Sequence, residues 1–248
     1  MAVIEQEVTV RTPDGVPEGF LYRDESGRKH PGVLYLTDII GIREANRGMA
    51  RRLAEAGYTV LVPNIFYRTS KLPVFDFKPN FGDERTTKRL GELSAPVTPD
   101  AQERDAAAYI DFLSTSDAVE SGSVGVVGFC YSGAMAMRTA AVRPDRIAAA
   151  ASFHAGRLYT DQPASPHREL PRIKARLYFG HAVNDKSMPT ESIEKLNEAL
   201  KAWGGKYESE VYDGALHGWT VPDGHVYNHV QAERAFQKLT TLLSETLK

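Results

Sequence analysis

The chain has 248 residues, of which 42% are hydrophobic and 25% charged, the profile of an ordinary globular protein able to bury a sizeable core. Its 30 basic and 32 acidic residues leave a net charge of −2, so nothing points to a nucleic acid or anionic membrane partner, and no apolar run approaches the roughly 20 residues needed to span a bilayer. One cysteine excludes an internal disulfide and any paired-cysteine metal or redox motif.

The N-terminal stretch Met1 to Glu7 carries early acids and no basic-then-apolar leader pattern. A lone reactive thiol suits a reducing compartment, so a cytoplasmic location is expected. Val3 to Arg11 alternates apolar and polar residues and reads as an edge strand; after the turn Thr12-Pro13-Asp14-Gly15, Gly19 to Asp24 reads as its hairpin partner. Gly32 to Leu36 is a fully apolar strand. Glu44 to Ala56 sets Ala45, Met49, Leu53 and Ala56 on one helical face, and Gly57 ends it. Tyr58 to Val62 is the next strand. Residues 64–97, broken by Pro73, Pro79 and Pro96, read as an irregular segment on the substrate side. Pro99 opens a helix through about Phe112.

Strands at Val124 to Val127, Ile147 to Phe153, Ala175 to Gly180 and Tyr207 to Tyr212 follow. Helices are expected at Gly133 to Val142, Thr190 to Trp203 and Asn228 to Leu247. From residue 32 onward strands alternate with helices, which predicts one α/β domain over 1–248 with a mainly parallel central sheet covered by helices on both faces.

The most informative stretch is Val124-Gly-Val-Val-Gly-Phe-Cys-Tyr-Ser-Gly133. A buried strand, a small residue, a nucleophile, a second small residue two positions on and then a helix make up a nucleophile elbow. The turn is so sharp that a Cβ two residues either side of the nucleophile crowds it. Cys130 occupies the exposed apex, and the backbone N–H of Tyr131 sits at a helix N-terminus, where it favours a thiolate and an oxyanion. Ser132 lies past the sharp turn and serves better as the small residue of the elbow than as a rival nucleophile.

A cysteine nucleophile needs a histidine, and the histidine an acid to orient it. Active sites of parallel α/β sheets lie beyond the C-terminal strand ends, which leaves His154, His181, His217 and His225 among the seven histidines. His217 follows the last strand and Asp185 the strand before it. The chain order Cys130, Asp185, His217 is that of the nucleophile, acid and base of elbow enzymes. The loop Thr37-Asp38-Ile39-Ile40-Gly41 supplies the second oxyanion donor, Ile39 N–H or a neighbour. Asp38 in that loop is either a modulator of the thiol or a turn acid bonded to its own backbone.

These motifs resemble the dienelactone hydrolase family of α/β-hydrolases. The likeness rests on Gly128-Phe-Cys-Tyr-Ser-Gly133, Phe179-Gly-His-Ala-Val-Asn-Asp185, Tyr212-Asp-Gly-Ala-Leu-His217 and Thr37-Asp-Ile-Ile-Gly-Ile42, and runs from about Val33 to the C-terminal helix. It implies an α/β-hydrolase fold, a Cys130–His217–Asp185 triad and oxyanion amides at Ile39 and Tyr131. It implies an acyl-thioester route for carboxylic esters or lactones, with no cofactor or metal. Two departures stand out. Asp38 replaces the family's usual Glu, and no basic residue follows His217 in Gly218-Trp-Thr-Val-Pro-Asp-Gly224 to take a substrate carboxylate.

Candidate substrate contacts are Tyr67, Arg68 and Arg85 from the irregular segment, with His154 and Trp219; Arg68 is the best placed to stand in for the missing base. The segment's aromatics serve either as pocket walls or as anchors for a long loop. A small-molecule ester or lactone is the expected partner, with the chain a monomer or small homo-oligomer. Thioester hydrolysis or acyl transfer, and a non-hydrolytic relative that binds a ligand or senses oxidants through Cys130, are the alternatives.

Overall fold

The computed structural model describes residues 1–247. Eight strands form one sheet in the order β1-β2-β4-β3-β5-β6-β7-β8. β1 (Val3–Thr9) and β2 (Glu18–Asp24) form the expected hairpin, and β2 also runs antiparallel to β4 (Thr59–Pro63). β3 (Gly32–Leu36), β4, β5 (Val124–Phe129), β6 (Ile147–Phe153), β7 (Arg176–His181) and β8 (Tyr207–Val211) are mutually parallel.

Alternation along the strands sorts two cores. Leu34, Leu36 and Val126 face one side, where α3 (Pro99–Thr115), α4 (Gly133–Val142) and α5 (Thr190–Trp203) cover them. Val33, Tyr35, Val127 and Phe129 face the other, beneath α1 (Glu44–Glu55) and α6 (His229–Thr246). All of these strand side chains are 4% exposed or less, so each contributes about 1.5–3 kcal/mol of apolar burial. A sheet buried on both faces explains why its central strands read as unbroken apolar runs. β5 lies between β3 and β6, so the chain leaving β5 is flanked by the loops leaving those two strands.

Residues 64–97 are not irregular throughout. α2 spans Glu84–Ser94, and the Asp83 side chain caps it by accepting the Thr86 N–H at 2.6 Å. Its one deeply buried apolar residue is Leu93, so the sequence shows no apolar stripe to announce it. The aromatics ahead of it divide. Phe66 and Phe75 sink into the core, Phe66 against the Tyr131 ring at 5.7 Å, whereas Phe81 is 57% exposed. Among the described residues no helix is long and apolar enough to cross a membrane.

Candidate active site

β5 ends in a turn that only certain residues can make. Cys130 has φ +54°, a left-handed conformation that ordinary side chains avoid. A Cβ on Gly128 would collide with the Ser132 carbonyl, so glycine is required there. The Ser132 hydroxyl is fully buried; it accepts the Phe129 N–H at 2.9 Å and donates to the Leu36 carbonyl at 2.8 Å. Ser132 therefore ties the elbow to the end of β3 and has no free face for attack. The Cys130 side chain, half-buried at the apex, meets His217 Nε2 at 3.0 Å from Sγ.

His217 stands in the loop after β8, and its Nδ1 lies 2.6 Å from Asp185 Oδ2. Asp185 follows β7 and is 8% exposed. Its other oxygen, Oδ1, accepts the Ser187 backbone N–H at 2.8 Å and the Ser187 hydroxyl at 2.6 Å. Those bonds fix the carboxylate plane, so Oδ2 is directed at the imidazole. Burial works to raise the Asp185 pKa, but the bonds from His217 and Ser187 overcome it and hold the carboxyl at about 2. Burial likewise opposes charge on His217, yet the bonds to Asp185 and Cys130 lift that ring to about 10. Both neighbours thus favour the charged form of the ring.

His154 stands behind this pair. It is fully buried at φ +42°, its Nε2 lies 2.7 Å from Thr220 Oγ1, and its ring meets His217 edge-on at 5.5 Å. Burial, reinforced by the neighbouring His217, keeps its pKa well below the usual histidine value. His154 is thus a neutral packing surface for His217 rather than an exposed pocket wall. Trp219 is also fully buried, stacked on Tyr212 at 4.8 Å and edge-on to His154 at 4.9 Å. Its expected contact with substrate is not met, because the turn after His217 rotates the indole into the core. His181 is 2% exposed and bonded to Ser209 at 3.1 Å, with burial taking its pKa down to about 4; His225 is exposed.

Asp38, the expected modulator of the thiol or turn acid, is bonded within its own loop. Arg43 grips both its oxygens, Nη1–Oδ1 at 2.9 Å and Nη2–Oδ2 at 3.0 Å, and Oδ1 also accepts the Ile40 N–H at 2.9 Å. The same guanidinium binds Asp223 through Nε at 2.7 Å and Nη2 at 3.0 Å, so the loops after β3 and after His217 are clamped together. Because Asp38 takes the Ile40 amide, the preceding Ile39 amide lies outside this side-chain bond. Tyr131, half-buried, is the middle residue of the short turn Cys130–Ser132 that leads into α4.

The basic candidates are occupied as well. Arg68 pairs with Asp14 at 2.6 Å and with Asp105 at 2.7 Å, and its side chain is only 11% exposed. Tyr67 bonds Thr12 and Asp105 in the same network, at 2.7 and 2.8 Å. With two carboxylates on one guanidinium, Arg68 and Tyr67 are structural rather than poised for substrate. Arg85 lies on α2, paired with Asp76 at 3.3 Å and stacked over Phe77, both from its own segment. Among the described residues no group of three or more His, Cys, Asp or Glu side chains could hold a metal ion.

Ser187, Arg43, Thr220 and Asp223 are the site residues that the sequence reading missed. Only Ser187 had a local signal, since a serine two residues after an aspartate is the spacing of a side-chain-closed turn.

The chain matches the model of the dienelactone hydrolase family over residues 18–247. It is 27% identical to the carboxymethylenebutenolidase of Rhodococcus opacus, over 84% of this chain and 78% of that one. A Klebsiella pneumoniae structure provisionally described as a dienelactone hydrolase superposes with a TM-score of 0.87 at 20% identity, over 99% of this chain and all of that one. A dienelactone hydrolase-like promiscuous phosphotriesterase from metagenomic libraries superposes with a TM-score of 0.81 at 20% identity, over the full length of both chains.

Proposed function

The chain belongs to the dienelactone hydrolase family of α/β-fold hydrolases, and from that premise we propose that it cleaves uncharged carboxylic esters or lactones through a covalent acyl-thioester on Cys130. One observation carries the reading. The half-buried thiol stands 3.0 Å from an imidazole whose far nitrogen is held at 2.6 Å by a buried carboxylate.

His217, as the imidazolium, stabilises the Cys130 thiolate. The thiolate attacks the carbonyl carbon, a C–S bond forms, and the carbonyl π pair moves to oxygen. That oxyanion is received by the backbone N–H groups of Tyr131 and Ile39. Collapse breaks the C–O bond, and the leaving alkoxide takes the proton from His217 Nε2. In a lactone the alcohol so formed stays tethered to the acyl group. Acylation removes the thiolate, one of the partners that raised the His217 pKa, so the ring becomes a better base at the step that needs one. It takes a proton from water, hydroxide attacks the thioester, and collapse returns the carboxylic acid and the Cys130 thiolate. Asp185 orients the ring and stabilises its charged form throughout.

The preference for uncharged substrates follows from the paired cations. Arg68 and Arg43 are each already bonded to two carboxylates, so a substrate carboxylate would have to share the guanidinium with both or displace one of them. The test is rapid-quench mass spectrometry with a p-nitrophenyl ester. The expected result is acyl transfer to Cys130 and its loss in Cys130→Ala. An acyl group on Ser132, or wild-type turnover by Cys130→Ala, overturns the proposal.

A further inference from the structure

One feature that this chemistry does not use is a cavity of about 540 Å³ between α1 and α6. Neither Cys130, His217 nor Asp185 lines it. Its floor is the sheet face formed by Tyr35, Phe129 and Phe153; Phe129 lies 5.0 Å from Tyr35 and 5.7 Å from Phe153 between ring centroids. Small residues open its sides, Ala45 and Gly48 on α1 and Ala232 and Ala235 on α6. Gly48 is a mid-helix glycine, which costs about 0.5–1 kcal/mol against alanine. A Cβ placed on it meets nothing within 4 Å, so packing does not demand the glycine.

The charges at the rim are already matched. Arg52 makes two bonds of 2.6 Å to Glu233 and stacks over Phe236 at 3.8 Å, while Asp223 is held by Arg43. No unpaired cation therefore awaits an anionic head group. Inside, Tyr35 is 1% exposed and its hydroxyl donates its one hydrogen to the Met49 sulfur at 3.5 Å, a weak acceptor that a ligand oxygen would replace. A volume of this size, apolar walls and one weakly bonded donor are the marks of a small-molecule site.

The cavity also touches the machinery indirectly. Phe129 and Phe153 immediately precede Cys130 and His154. Thr220 lines the cavity and meets His154 Nε2 at 2.7 Å, and His154 packs on His217.

We infer that this cavity is a second ligand site for a neutral, largely apolar small molecule that carries one hydrogen-bond-accepting oxygen, and that its occupancy is transmitted to His217 through Thr220 and His154. The oxygen sits on the Tyr35 hydroxyl and the apolar body lies over Phe129 and Phe153. The transmission rests on His217 acting in ester hydrolysis as proposed above; the binding does not.

The probe is Prodan, a neutral naphthyl ketone whose emission reports both polarity and hydrogen bonding. Saturable blue-shifted emission is expected at one site per chain, and Cys130→Ala should retain it. Gly48→Leu and Ala235→Trp fill the cavity from opposite walls and should each raise Kd at least tenfold, with circular dichroism confirming their fold. Tyr35→Phe should shift the bound emission further to the blue. Saturating Prodan should change kcat for p-nitrophenyl acetate at least threefold, and Thr220→Val should bind the probe yet lose that effect.

Binding indifferent to both filling variants overturns the site. A purely competitive effect, with KM raised and kcat unchanged, places Prodan in the substrate cleft and overturns it too. Binding without any kinetic effect overturns the transmission. Should the hydrolytic reading itself fail, Cys130→Ala would hydrolyse normally while the Prodan titrations keep their outcome.

Discussion

Asp185→Asn keeps the side chain's shape and changes which atoms accept. A carboxylate offers two acceptors; an amide offers one oxygen and one NH₂ donor. The site surrounds Asp185 with donors: the Ser187 N–H at 2.8 Å and hydroxyl at 2.6 Å on Oδ1, and His217 Nδ1 at 2.6 Å on Oδ2. The Ser187 N–H belongs to the backbone and cannot turn away. The amide oxygen of the variant must therefore stay with Ser187, and its NH₂ must face His217 Nδ1. The ring can meet that donor only as the tautomer with its proton on Nε2, the atom that has to hold or take the Cys130 proton.

Loss of one charge-assisted hydrogen bond is worth about 1.5–3 kcal/mol, or roughly 10- to 150-fold at about 1.4 kcal/mol per decade. The wrong tautomer adds to that, so kcat should fall about a hundredfold or more. Steady-state hydrolysis of p-nitrophenyl acetate near neutral pH measures it. In the His217→Ala background the same substitution should cost little further, because the two residues act as one unit. A kcat within threefold of wild type for Asp185→Asn would refute the reasoning, as would fully additive losses.

The His217 ring should titrate near pH 10 in ¹³C-histidine NMR, and Cys130→Ala should bring it down towards the ordinary value of 6.5; a wild-type midpoint near 6.5 would show the ring unpaired. The contribution of this ring to stability is complete below pH 6.5 and is lost as pH rises through about 10, whereas that of Asp185 is complete above 3.8 and is lost as pH falls through about 2, so denaturant midpoints should show the pair intact across neutral pH. Arg68→Ala leaves the Asp105 carboxylate, 1% exposed, with Tyr67 as its remaining side-chain partner, and should cost about 3 kcal/mol, or roughly 6–12 °C in Tm, while KM for anionic and neutral esters stays level. A selective rise in KM for anionic esters would instead restore Arg68 to the substrate.

The proposed triad could be read from sequence because topology does most of the positioning. Each member follows a strand of one parallel sheet, and such strands deliver their loops to one end. The elbow is more local still, since the Gly128 requirement arises from Ser132, four residues away. The expectations that failed concern side-chain direction and pairing, which the chain order leaves open. Trp219 lies two residues from His217, yet the intervening turn sends it inward to Tyr212 and His154. Asp38 had its partner Arg43 only five residues on, but whether that guanidinium would reach it depended on where Asp223 stood, 180 residues later.

Arg68 makes the point with most consequence for substrate choice. In sequence it is a cation beside aromatics, at the strand end where a substrate carboxylate was expected. Its partners Asp14 and Asp105 lie 54 and 37 residues away and cancel it before any ligand arrives. A charged side chain recruits a substrate only if it is unpaired in the free protein, because otherwise binding must first break a desolvated ion pair. The same test applied to Arg43 and Arg52 gives the same answer, since each is already bonded to carboxylates. None of these three arginines is therefore free to match a substrate carboxylate without first giving up a partner. The proposed preference for a neutral acyl group rests on that pairing, and a selective loss of anionic-ester turnover in Arg68→Ala would remove its basis.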